Sequence, residues 1–240
     1  MRAFVALVPP DDVLGELAEH VAPIRAAHPD LRWTPAAQWH LTLAFLGEVD
    51  EDVLPDLTER LARAARRHPP VSLALAGGGR FGDRVLWTRV QGAPVPGAPV
   101  HEAPVAGESL IPPGELRIPP GELRMPPRRV PHSSTASRAS ARGTPREGVD
   151  ALRRLAASVG AAARRCGIDV EDRPYRPHLT LARGREGADL RPAAEALSGF
   201  AGSPWTADAL HLVRSRLGAG PGGTAAHEVI ETWSLGRQHP

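Results

Sequence analysis

Apolar residues change their spacing several times along this chain, and each change marks an element. Residues 3–8 are a short run of β-formers and predict a strand. Behind Asp11 and Asp12, which suit a helix N-terminus, Leu14, Leu17, Ala18 and Val21 recur at helical spacing. Leu54, Leu57, Leu61 and Ala64 form a second helical stripe, predicting a helix over 51–67. Two strands are expected over 71–76 and 84–90, separated by a Gly-rich turn. A third stripe, Leu152, Leu155, Ala156 and Val159, predicts a helix over 149–166 with Gly167 as its stop. A short helix over 192–197 and strands over 207–217 and 226–235 complete the expectation.

Period-two alternation singles out one pentamer. His-Leu-Thr-Leu-Ala occurs at 40–44 and again at 178–182. On a strand, side chains alternate between faces, so His40 and Thr42 share one face and Leu41 and Leu43 the other. His178 and Thr180 stand in the same relation to Leu179 and Leu181. Two such strands facing each other would offer two imidazoles and two hydroxyls to one ligand. By the same alternation Trp39 and Phe45 belong to the apolar face, with core packing as their role. Arg183 would point away from His178 on a regular strand, leaving a phosphate contact at a twisted strand end or a structural ion pair. Tyr175 precedes the second copy and either stacks a base or packs.

Between the copies the pattern stops. Residues 92–146 hold 12 of the 26 prolines and a tandem Ile-Pro-Pro-Gly-Glu-Leu-Arg at 111–117 and 118–124. Such a stretch buries too little apolar area to fold alone and reads as a disordered insertion. On both sides of it the order of helix, motif strand, helix and strands is broadly similar. The expected architecture is therefore α+β: two small lobes in a bilobal pseudo-twofold arrangement, residues 1–91 and 147–240, forming one domain.

Bulk composition removes several classes. With 29 basic against 27 acidic residues the net charge is +2, so no global basic field demands nucleic acid. Every one of the Lys+Arg residues is arginine, as a GC-rich coding bias produces, although arginine suits bidentate phosphate contacts. The single cysteine, Cys166, can form neither an internal disulfide nor a metal knuckle and reads as an inert thiol at a helix end. The N-terminus is apolar for too few residues to be a signal peptide, and no run is long enough to span a membrane, so the chain reads as soluble and cytoplasmic. Residues 218–223 match the G-x-G-x-x-G spacing but lead into a strand, whereas a dinucleotide loop must open a helix. Two histidines with threonines make a poor metal site, and none is expected.

The flanks of the pentamers carry a resemblance. Arg32-Trp33 with Trp39-His40-Leu41-Thr42-Leu43 and Phe45-Leu46-Gly47-Glu48 resembles the first signature of the two-histidine phosphoesterases. Tyr175-Arg176-Pro177-His178-Leu179-Thr180-Leu181-Ala182-Arg183 resembles the second. Within that superfamily the chain looks most like the bacterial RNA 2',3'-cyclic phosphodiesterase group, also named 2'-5' RNA ligase. Residues 1–7, Phe81 with 85–87, and 213–215 agree further. The sequence departs from the group at Ala44, often basic there, and near His227, where an aromatic is usual. The resemblance implies motif strands flanking a central cleft and no cofactor or metal. It also implies His40 as proton donor, His178 as proton acceptor, and Thr42 and Thr180 as phosphate ligands. Arg183 and Tyr175 are candidate further substrate contacts, with a structural ion pair and core packing as their respective alternatives. The partner would be RNA with a 2',3'-cyclic phosphate end, or a small cyclic nucleotide, bound by a monomer with no membrane attachment. The same four residues would also serve 2'-5' ligation or cleavage, or a non-catalytic RNA-end-binding module.

Overall fold

The computed structural model describes residues 1–94, 145–220 and 224–237. Of the proline-rich insertion, 95–144 with the tandem heptad lies outside the described residues, whereas Gly92 ends a strand and Pro145 opens a helix, so the folded segments reach further into 92–146 than expected. Among those described, no helix is long and apolar enough to cross a membrane.

The fold is α+β, built on two antiparallel sheets. The strands are β1 (Arg2–Leu7), β2 (Arg32–Trp33), β3 (Leu41–Glu48), β4 (Val71–Phe81), β5 (Val85–Gly92), β6 (His178–Arg183), β7 (Trp205–Ala207), β8 (Ala209–Arg216) and β9 (Ala226–Ser234). The helices are α1 (Asp11–Ala27), α2 (Leu54–Arg67), α3 (Pro145–Arg165) and α4 (Arg191–Ala196), with a short 3-10 turn at Ala36–Gln38. One sheet runs β3-β1-β8-β9 and the other β2-β6-β5-β4-β7. In each, the motif strand is followed by three antiparallel partners, and β2 is an addition outside β6.

The sheets do not follow the halves of the chain. Each takes strands from both sides of the insertion, so residues 1–91 and 147–240 do not correspond to one lobe each. The switch is visible at Asp208, inside the span expected as one strand over 207–217. The chain leaves β7, paired with β4, and enters β8, paired with β1, while the Asp208 carbonyl accepts the Leu235 N–H at 2.6 Å.

Several boundaries moved for local reasons. Pro55, in the first turn of α2, lacks an N–H to give to a preceding carbonyl, and the helix starts at Leu54 rather than Glu51. Helix α3 ends as expected: Gly167 takes φ +77°, and the Gly167 and Ile168 amides donate to the Arg164 and Ala163 carbonyls. Gly77–Gly79 is not a turn. Gly77, at φ +61°, forms a bulge inside β4, and a Cβ on Gly79 would collide with the Trp87 ring. The turn comes later, around Gly82.

Helices cover one face of the β3-β1-β8-β9 sheet. Val5, Leu7, Leu41 and Leu43 share a single buried cluster with Leu57 and Leu61 of α2 and Leu152 and Leu155 of α3. Helix α3 touches β3, β4 and β5 and so joins the two sheets. The opposite face holds a separate small cluster, Phe4, Ala6 and Val213, and it is on this side that His40 lies.

Candidate active site

His40 sits one residue before β3, and His178 opens β6. Both rings are anchored in the same way: the Nδ1–H of His40 donates to the Gln38 carbonyl and that of His178 to the Arg176 carbonyl, each at 2.7 Å. A carbonyl only accepts, so Nδ1 carries the hydrogen in both rings and the neutral imidazole keeps its lone pair on Nε2. Strands β3 and β6 pack side by side, which brings the two rings within electrostatic reach of each other. Thr42 and Thr180 are half-buried on the same faces as their histidines.

Each motif strand carries a β-bulge at the same place. Along β1 and β3 the register passes from Ala6↔Thr42 to Val5↔Ala44, leaving Leu43 extra. Along β5 and β6 it passes from Trp87↔Thr180 to Leu86↔Ala182, leaving Leu181 extra. An extra residue shifts the alternation by one, so Leu43 and Ala44 are both buried, as are Leu181 and Ala182. The next side chain then returns to the histidine face. Phe45 is accordingly 59% exposed and 6.0 Å from Phe4, not in the core where unbroken alternation would place it. Arg183 is exposed on the Thr180 side rather than turned away, and it forms no ion pair among the described residues. Trp39 does pack in the core, its indole N–H donating to the Thr34 carbonyl at 3.1 Å.

Aromatic rings back both imidazoles. Phe4 stacks on His40 at 4.5 Å and His227 meets His40 edge-on at 5.2 Å. Phe81 meets His178 edge-on at 4.9 Å, with Trp87 at 6.3 Å. Residues directly opposite in antiparallel pairs share a face. Arg89 is opposite His178 and Arg32 is opposite Arg183, so the exposed face beside His178 carries three arginines. Tyr175, by contrast, packs against the main core, and burial pushes its hydroxyl well above the usual tyrosine range. The residue as a whole is half-buried, and its hydroxyl has no hydrogen-bond partner among the described residues.

Burial also sets the charge of the histidines. It pushes His40 down to about 4, with His227 and His178 adding to the fall and the Gln38 hydrogen bond opposing it. His178 is lowered for the same main reason, opposed by the Arg176 hydrogen bond. At neutral pH the free protein therefore holds His40 as a neutral ring with an accepting Nε2. Protonating it requires a compensating negative charge nearby, which a phosphate would supply. Among the described residues, no three His, Cys, Asp or Glu side chains are grouped to hold a metal ion. The Cys166 thiol donates to Asp56 at 3.4 Å and is raised by burial, in keeping with an unreactive thiol.

The structure thus assembles His40, Thr42, His178, Thr180 and Arg183 and leaves Tyr175 out. It adds Phe4, Phe45, Phe81, Arg89 and His227. The bulges left a sequence trace, since Leu-Ala in both copies interrupts the alternation. The place of Arg89 depends on strand pairing and left none.

The sequence model of the LigT like Phosphoesterase family matches residues 7–87 and 143–222, on either side of the insertion. An RNA 2',3'-cyclic phosphodiesterase of Thermus thermophilus is 31% identical over 242 aligned residues, covering 100% of this chain and 92% of that protein. A protein of the same name from Thermotoga maritima is 33% identical over 95 residues, which is 38% of this chain. There the match spans only about half, 51%, of the relative's length. Among solved structures, TT0787 of Thermus thermophilus superposes with a TM-score of 0.61 at 26% identity over 100% of both chains. A family match on both sides of the insertion and the two bulged histidine strands lead to one conclusion: the chain belongs to the LigT-like phosphoesterases.

Proposed function

We propose that this protein hydrolyses RNA 2',3'-cyclic phosphate ends to 2'-phosphomonoesters without a metal ion. The observation that carries the reading is the matched pair of imidazoles, each fixed through Nδ1 with Nε2 left free to exchange a proton. Names borne by relatives support the reaction class, and the arginines beside His178 suit a phosphate and its strand.

In the proposed step, the Nε2 lone pair of His178 takes a proton from water as the water oxygen bonds to phosphorus. The P–O3' bond breaks, and His40 Nε2–H protonates the departing 3' oxygen. Thr42 and Thr180 donate hydrogen bonds to the non-bridging oxygens, where charge builds up. The step ends with His178 protonated and His40 neutral, and exchange with solvent restores both. The substrate supplies its own activation: its phosphate is anionic, and its binding raises the pKa of His40 from the low value burial imposes. One domain made of both segments would do this chemistry, with residues 95–144 dispensable, since Gly92 still belongs to β5, Ala93 is buried and Pro145 opens α3.

Incubating the protein with an oligonucleotide bearing a 2',3'-cyclic phosphate in EDTA tests the reading. A 2'-phosphate product is expected. A joined product would favour 2'-5' ligation, bound but unchanged RNA a binding module, and activity lost to EDTA a metal site.

A further inference from the structure

On the outer side of the helices, away from the histidines, α2 and α3 run antiparallel: Asp56 meets Cys166 at one end and His68 meets Ser158 at the other. Between them is a cavity of about 230 Å3 with alanines on its floor and Arg60, Arg63, Arg67 and Arg165 around its rim. That is room for roughly seven waters at about 30 Å3 each, a space suited to a phosphoryl group and its linking atoms. Arg60 is held by Asp56 at 2.8 Å and Arg63 by Glu59 at 3.0 Å. No carboxylate pairs with Arg67 or Arg165 among the described residues, so the rim keeps an excess of positive charge. His68, bonded to Ser158 at 2.8 Å, is lowered mainly by burial, then by Arg154 outside the cavity, and then by Arg67 of the rim. A favourable charge at a helix C-terminus accounts for Arg67 and Arg165 singly. It does not account for four guanidiniums converging on one concavity.

We propose that this cavity is a second phosphate-binding site, separate from the histidine pair. It takes a ligand presenting successive phosphates, either the backbone of single-stranded RNA or a nucleotide polyphosphate. Guanidinium forks match phosphate oxygens in a bidentate manner, and among the described residues two of these forks pair with no carboxylate. Phosphate chemistry follows from the cavity alone; the choice of RNA as a source rests on the reading of the histidine site.

The test uses the full chain and two probes: a labelled single-stranded RNA with a 3'-hydroxyl end, which the histidine site cannot turn over, and pyrophosphate. Wild type is compared with Arg67→Glu/Arg165→Glu and with Arg67→Gln/Arg165→Gln by fluorescence anisotropy and calorimetry, with thermal midpoints monitoring the fold. RNA affinity should fall at least about tenfold, and its dependence on log salt should flatten by about 1.4, or about 0.7 for each lost phosphate contact. Hydrolysis of a mononucleotide 2',3'-cyclic phosphate should not change. Loss of pyrophosphate binding as well assigns the nucleotide source; loss of RNA binding alone assigns the strand. Equal binding of both probes by the wild type and both folded variants overturns the proposal.

Discussion

Strands β3 and β6 share a pentamer, a bulge at the same position and a histidine anchored to the carbonyl two residues before it. The side chain that each bulge turns outward differs: Phe45 from β3 and Arg183 from β6. The surroundings differ in the same sense. Beside His40 lie Phe4, Phe45 and His227, whereas Arg32, Arg89 and Arg183 line the face shared with His178. The comparison separates two tasks. In the proposed mechanism, proton transfer needs one acid and one base, and the repeat would supply both as imidazoles. Orientation needs the two sides to be unlike, so that a ligand with an aromatic base and an anionic backbone can lie only one way. On this view the asymmetric neighbours, not the histidines, decide which imidazole acts as acid.

Breaking the symmetric part should have the largest effect. His40→Ala and His178→Ala should each cost about 10²–10⁴-fold in kcat on a 2',3'-cyclic phosphate substrate. Near-wild-type turnover in either would end the two-histidine mechanism. Thr42→Val and Thr180→Val each remove one donor to a non-bridging oxygen and should cost about 10²-fold in kcat, with KM moving less. A loss confined to KM would mean ground-state binding only.

The unlike neighbours should separate by salt. Phe45→Ala should raise KM by about tenfold through lost stacking and leave the salt dependence unchanged. Arg183→Ala should raise KM and flatten the log KM against log salt slope by about 0.7. If the two variants respond alike to salt, the proposed division between aromatic and cationic sides is wrong.

The smallest change expected is a shift in pH. His227 contributes to lowering His40, so His227→Phe should raise the pKa of His40. With His40 as acid, its protonated form is the active one, and the alkaline limb of the pH–rate profile moves to higher pH. Movement of the acid limb instead would make His40 the base. The same variant thus tests the role assignment that resemblance alone supplied.

Much of this site was legible in the sequence because its determinants are local. His, Leu and Thr at alternating positions define a strand with a polar face whatever surrounds it, and Gly167 ends its helix through its own backbone. Phe45 and Arg183 were misplaced because one inserted residue reverses every later position on a strand, although Leu43-Ala44 and Leu181-Ala182 hinted at the break. The Gly77–Gly79 run read as a turn because glycine permits both a turn and the close approach that Trp87 makes. Sheet membership was beyond reach. Whether β8 joins β1 or β7 depends on a crossing at Asp208 that no residue pattern announces.

That crossing has a consequence for how the molecule is made. The first 94 residues contain β1 and β3, but β8, which completes β1, ends at Arg216, and β6, which flanks β5, ends at Arg183. A ribosome adding about 5–20 residues per second needs roughly 6–24 s to travel from residue 94 to residue 216. Through that interval the nascent chain holds unpaired strand edges and a half-covered apolar face, a hazard for aggregation. Neither histidine strand can be framed by its full sheet until synthesis is almost over. Severing the chain within the insertion should therefore yield two fragments that fold only when mixed.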